Sequence, residues 1–177
     1  GSTDATFKLL SEKIDNRIRI IRFSRNFGKE AALTAGLNRC SGDVAIPFDV
    51  DLQDPIEIIH ALLTEWKKGF LIVHGVWEER QDNSFLRRFL AQQYYRMFDI
   101  ISDLKMVPQS GDFRLLDRKV IEALRTLPER VRFMKGLFNY VGFSSSIVKY
   151  KRSERNVGSS KFNFFKLAKF GLDGLIS

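Results

Sequence analysis

The order of apolar and polar residues predicts an α/β fold built on a doubly wound sheet. Two observations carry that expectation. Short apolar runs alternate with helical periodicities at strand-helix-strand-helix spacing. A cluster of carboxylates also stands directly after one of the apolar runs, where open α/β sheets place their ligands. With 177 residues, 44% of them hydrophobic, the chain is long enough for one self-supporting domain.

The elements follow in order. Ser2-Thr3-Asp4 is rich in capping residues and precedes a short helical pattern with Phe7, Leu10 and Ile14 on one side. Arg17 to Phe23 alternates basic and apolar residues as a strand does, with Ile21 out of step. Asn26-Phe27-Gly28 turns the chain into an Ala/Leu-rich helix from about Lys29 to Arg39, which Ser41-Gly42 ends. Asp43 to Phe48 is a buried strand by composition, followed by the polar stretch Asp49-Val50-Asp51-Leu52-Gln53-Asp54. Asp54 then suits a helix cap, Pro55 the first helical position and Glu57 the third. Ile58, Ile59, Leu62, Leu63 and Trp66 give that helix its apolar face, and Gly69 stops it. Phe70 to Val76 is another strand, and the charged loop Glu78 to Asn83 leads to a long amphipathic helix from about Ser84 to Ser102.

Composition narrows the chemistry. Cys40 is the single cysteine, so an intrachain disulfide and a cysteine-based zinc site are both excluded. His60 and His74 are too scattered for a histidine metal centre and are expected to be partly buried or surface residues. A formal charge of +8 attracts anions, whether nucleic acid, an acidic membrane face or phosphorylated substrates. No uncharged apolar run reaches the roughly 18 residues of a membrane-spanning helix. No signal peptide is expected, because Gly1 to Asp4 is polar.

The carboxylate cluster is the sharpest feature. Mg²⁺ and Mn²⁺ favour oxygen ligands, and Mg²⁺ commonly takes one or two carboxylates with substrate phosphates and water. Asp51 and Gln53 fall on the same side of an extended segment and so could share a metal ion. The alternative is a solvated acidic loop with Asp54 as a helix cap.

Several segments, taken together, resemble family-2 glycosyltransferases of the GT-A type. Gly1-Ser2-Thr3-Asp4 is similar to the tail of their Asp-Asp-Gly-Ser motif. Ser24-Arg25-Asn26-Phe27-Gly28-Lys29-Glu30, with Ala31-Ala32-Leu33 and Ala35-Gly36, is similar to the segment after their third strand. Asp49-Val50-Asp51-Leu52-Gln53-Asp54-Pro55 resembles their metal motif. Gly111-Asp112-Phe113-Arg114-Leu115 and Arg132-Phe133-Met134-Lys135-Gly136 complete the pattern. Within the family the resemblance runs to bactoprenol (undecaprenyl-phosphate) glucosyltransferases, relatives of dolichol-phosphate mannose synthase.

The resemblance implies a Rossmann-like GT-A nucleotide-sugar domain over residues 1–158, with an amphipathic juxtamembrane helix over 159–177. Two further strands of the family would precede Gly1, and transmembrane helices would follow Ser177. The implied reaction is inverting transfer of a hexose, glucose from UDP-glucose, to undecaprenyl phosphate at the cytoplasmic face of the bacterial inner membrane. Asp49 would contact the donor nucleotide, and Asp51 and Gln53, with Asp49, would hold Mg²⁺ or Mn²⁺. Asp112 matches the catalytic base. Arg155, Ser160 and Lys161 resemble a loop that closes on phosphate around Gly158. Arg80, Arg114 and Lys29 are further candidates for the donor phosphates, although Trp77 stands where another arginine is expected.

Phe162, Phe165, Leu167, Phe170, Leu172 and Leu175 form a broad apolar surface edged by Lys166, Lys169 and Asp173. That suits a helix in the membrane interface or one that covers the core. The faces near Phe85 and Phe162 could equally meet a second copy of the chain. A saccharide acceptor or another nucleotide sugar is the alternative within the same chemistry. A basic nucleic-acid-binding module rests on charge alone, with no zinc-finger spacing or RNA-binding signature, so no nucleic acid is expected. A membrane-associated remnant without activity is the third reading.

Overall fold

The computed structural model describes residues 2–13, 15–51, 53–78, 107, 110–128 and 134–151. The chain divides into two compact units, Gly1–Ser41 and Gly42–Ser177.

In the first unit, Asp4 accepts the Thr6 N–H at 3.0 Å and opens α1, Thr6–Ser11, which buries no residue. Asn26 accepts the Gly28 N–H at 2.8 Å, and Gly28 takes φ +90°, a left-handed turn that starts α2, Lys29–Arg39. The strand expected over 17–23 is not formed. Alternation is not enough for a strand, which needs a ladder partner, and no strand is present in this unit among the described residues. Arg22 instead stacks on Phe7 at 4.4 Å, and Arg25 stacks on Phe27 at 4.1 Å.

The second unit carries the sheet. Its elements are β1, Val44–Ala45; α3, Ile58–Lys67; β2, Ile72–Trp77; β3, Ser110–Asp117; α4, Arg118–Thr126; α5, Met134–Tyr140; and β4, Ser145–Tyr150. The strand order is β1-β3-β2-β4. β3 is antiparallel to both neighbours, while β2 and β4 are parallel. The open sheet is therefore mixed rather than wholly parallel, and β1, β2 and β4 all point the same way.

β1 is shorter than the apolar run that predicted it. Its ladder covers Val44 and Ala45 only, and Pro47, with no N–H to donate, interrupts further pairing. α3 matches its expected face: Leu62 is fully buried, and Ile58, Ile59, Leu63 and Trp66 pack against the same core as Val73, Phe113, Leu115 and Tyr150. Its start differs. Pro55 to Glu57 form a turn with bonds from the Ile58 and Ile59 N–H groups to Pro55 O and Ile56 O, and the helix has no side-chain cap. Gly69, at φ +102°, ends it as expected.

Alternation along β3 divides its residues between two layers. Phe113 and Leu115 face α3, whereas Arg114 and Leu116 face the layer that holds the buried residues of α4 (Val120, Ile121, Leu124) and α5 (Met134, Phe138). Asp117 joins the two ends. Its carboxylate accepts the Lys119 N–H at 2.8 Å, capping α4, and the Trp66 Nε1–H at 2.7 Å, tying in α3.

His74 and Arg114 are cross-strand partners, and each is 1% exposed. The guanidinium lies 4.2 Å from the Phe138 ring centre and donates to Gly111 O at 2.5 Å. Neither His74 nitrogen has a hydrogen-bond partner among the described residues. His74 is thus more deeply buried than its sequence context implies. Burial, and then the Arg114 charge, push its pKa down to about 4. The long helix expected over 84–102 and the terminal helix over 159–177 lie outside the described residues.

This core makes two outcomes measurable. A Cβ on Gly75 would stand 2.8 Å from Phe113 Cδ1 and 2.9 Å from Phe113 O. A main-chain oxygen cannot swing away, so Gly75→Ala is expected to cost about 1–3 kcal/mol in urea denaturation. His74 has a folded pKa near 4 against an ordinary value of 6.5. The unfolded chain then binds the proton more readily between those values. The contribution is complete above pH 6.5 and is lost as pH falls toward 4, by roughly 3 kcal/mol in all. His74→Leu should flatten that slope in denaturation midpoints measured from pH 4 to 7, and an unchanged slope would refute the assignment.

Candidate active site

Strand direction gathers the chemistry at one sheet edge. β1, β2 and β4 end there, and antiparallel β3 begins there. The edge therefore receives the 49–54 loop after β1, Asp112 near the start of β3, and the exits of β2 and β4 at Glu78 and Lys151. Beyond Ala45 the ladder stops, and the chain runs on through Pro47 to Phe48 and Asp49. The rings of Phe48 and Phe113 do meet, edge to face, with centres 5.5 Å apart.

The loop is a turn rather than the extended segment expected. Asp51 Oδ1 accepts the Gln53 N–H at 3.2 Å, and Val50 has 95% of its surface exposed. Asp49, Asp51, Gln53 and Asp112 are half-buried. Asp54 is 6% exposed and is not the cap of α3. Its Oδ1 accepts the Tyr150 hydroxyl at 2.5 Å, a partner 96 residues away that no local pattern announces.

Asp112 has Gly111 on one side and Phe113 on the other. A Cβ at Gly111 would lie 3.2 Å from the Trp77 ring, so the glycine lets that ring close over the strand start. This gives a role to the tryptophan that stands in place of an expected arginine. Arg114, by alternation on the same face as Asp112, is buried against Phe138. Lys29 is exposed in the first turn of α2, in the other unit. Arg80, Arg155, Ser160 and Lys161 lie outside the described residues. Strand direction thus puts the segment from Asp49 to Gln53 and the start of β3, with Asp112, at the same end of the sheet.

The donor set suits a hard divalent cation in kind: carboxylate and amide oxygens on half-buried residues of one loop. No group of three or more His, Cys, Asp or Glu arranged to hold a metal is present among the described residues. A cation here would rely on one or two carboxylates and on substrate oxygens. No helix among the described residues is long and apolar enough to cross a membrane.

Comparison with known proteins gives a consistent picture. The profile "Glycosyl transferase family 2" matches residues 1–125. An uncharacterized glycosyltransferase of Synechocystis is 44% identical over 179 residues, covering 100% of this chain and 56% of that protein. The bactoprenol glucosyl transferase of Shigella phage SfV is also 44% identical, over 100% of this chain and 58% of its own length. A prophage bactoprenol glucosyl transferase homolog of Escherichia coli is 42% identical with the same coverage of 100% and 58%. The chain spans about half the length of these curated relatives.

Proposed function

Because the chain belongs to glycosyl transferase family 2, we propose that it is the catalytic part of an enzyme that transfers glucose from UDP-glucose to undecaprenyl phosphate at the cytoplasmic face of the bacterial inner membrane. What supports this reading is that the Asp49–Gln53 loop follows β1 and that Asp112 lies near the start of antiparallel β3, so both belong to the same end of the sheet. Relatives named bactoprenol glucosyl transferases match the whole chain and support the choice of acceptor and sugar.

The proposed chemistry is a single displacement. A phosphate oxygen of the lipid attacks the anomeric carbon from the face opposite the nucleotide. The bond from that carbon to the diphosphate oxygen breaks, and its electron pair leaves with UDP, so the centre inverts. The lipid phosphate is already an oxyanion near neutral pH and has little proton to give up. Asp112 then has less work as a base than in transfer to a hydroxyl. A carboxylate there orients the acceptor and steadies positive charge at the oxocarbenium-like carbon.

Asp49 contacts the nucleotide in this reading, and Asp51 and Gln53 are the side chains that would hold Mg²⁺ or Mn²⁺, with Asp49 beside them. The cation would neutralise charge that builds on the departing diphosphate. Lys29, Arg80, Arg114, Arg155, Ser160 and Lys161 are assigned to phosphate recognition on sequence grounds; of these, Arg114 has the least access, because its guanidinium is buried. Residues 1–158 form the catalytic part, and 159–177 lie in the membrane interface.

The expected outcome is UDP release by the full-length protein in detergent that requires UDP-glucose, undecaprenyl phosphate and Mg²⁺ together. Asp51→Asn should lower kcat/KM by about 100-fold or more, the scale of losing a contact to developing charge. EDTA should abolish turnover, and added Mg²⁺ should restore it. Release that persists without divalent metal, or that proceeds with an oligosaccharide in place of the lipid phosphate, defeats the reading.

A further inference from the structure

One buried polar contact beside the site has no part in the scheme above. The Tyr150 hydroxyl donates to Asp54 Oδ1 at 2.5 Å, with the two residues 4% and 6% exposed. We propose that Tyr150 is a positioning residue for the metal loop, acting through Asp54 to hold Asp51 and Gln53 in a fixed arrangement. The inference rests on the metal-binding role given to that loop under the proposed function.

The loop has an anchor at each end. Phe48 enters it locked against Phe113, and Asp54 leaves it locked to Tyr150. Between the anchors Val50 is 95% exposed, while Asp49, Asp51 and Gln53 are half-buried. Asp54 directly follows Gln53, so movement of the Asp54 backbone carries the amide ligand with it. Two apolar side chains could fill the same space without the desolvation cost of a buried carboxyl and hydroxyl. Retaining a polar pair there fixes a direction, which apolar packing does less sharply.

Tyr150 is itself tightly held. Its ring meets Phe113 edge to face at 5.7 Å, its Cα pairs with Trp77 across the β2–β4 ladder, and its carbonyl accepts the Glu78 N–H at 2.9 Å. Trp77, its ladder partner, has its ring beside Gly111.

The test is Mn²⁺ uptake by the full-length protein in the presence of UDP, read from the electron paramagnetic resonance signal of free Mn²⁺, with melting temperature recorded alongside. Tyr150→Phe and Asp54→Ala are each expected to weaken Mn²⁺ binding by about 10-fold or more, as is usual for residues that orient metal ligands. The double variant should bind no more weakly than the worse single variant, because both cut one chain of contact. A purely structural role would lower the melting temperature and leave Mn²⁺ affinity unchanged, and that result overturns the proposal. Additive losses in the double variant overturn it as well. Should Tyr150→Phe not fold, Asp54→Ala breaks the same bond from the carboxyl side, and unchanged Mn²⁺ affinity in that variant overturns the proposal. Wild-type protein that takes up no Mn²⁺ with UDP removes the metal reading and this proposal together. Normal uptake by the wild type and by both variants removes only the part given to Tyr150.

Discussion

The ring of Phe113 sits in the notch left by Gly75, where even one added carbon would come within 2.8 Å of it. Phe48 and Tyr150 each meet the ring edge to face. These three aromatics come from β3, from the segment leaving β1 and from β4, so their contact fixes the relative height of three chain segments at one edge of the sheet. Each borders a carboxylate. Phe48 precedes Asp49, Phe113 follows Asp112, and Tyr150 binds Asp54. The acidic groups are held in place by an apolar cluster beneath them, and the absence of a side chain at Gly75 is the condition that lets the cluster close.

Local patterns gave good access to elements that depend on local forces. α2 spans Lys29–Arg39 as its turn residue and composition indicate, because Gly28 supplies the left-handed entry. α3 buries the face that its periodicity names, and Gly69 stops it. The carboxylate loop was legible as a strand-end cluster, since polar residues directly after an apolar run have few places to go in an α/β sheet. Order of elements and spacing were sufficient for an α/β fold with an open sheet, though not for its mixed strand directions.

What the pattern missed depends on distant partners. The basic-apolar alternation at 17–23 suits a strand, but without a neighbouring ladder in its unit it stays irregular. Asp54 has every local mark of a helix cap, yet a hydroxyl 96 residues away takes its carboxyl. β3 runs against its neighbours, a fact of topology that periodicity cannot express. His74 looks like an ordinary histidine until the sheet sets it beside Arg114 in a dry layer. In each case the deciding energy is a long-range contact, and sequence spacing carries no record of it.

The burial of Arg114 bears on how the proposed reaction manages charge. Two phosphate-bearing substrates must approach, and their repulsion has to be offset by cations close to the reacting carbon. Arg114 lies near Asp112 in sequence, but its guanidinium is turned onto the Phe138 ring and the Gly111 carbonyl, where it acts on the sheet interior and on His74. Its charge therefore supports the strand that carries Asp112 more directly than it meets substrate. Under the proposed function, compensation is assigned to a cation held by Asp51 and Gln53 and to basic residues later in the sequence. β2 and β4 are parallel, and the Glu78 N–H bond to Tyr150 O keeps their exits side by side. The chain continues from those exits toward Arg80 in one case and toward Arg155 and Lys161 in the other. The sheet thus sets the start of β3, with Asp112, and the exits of β1, β2 and β4 at a common end.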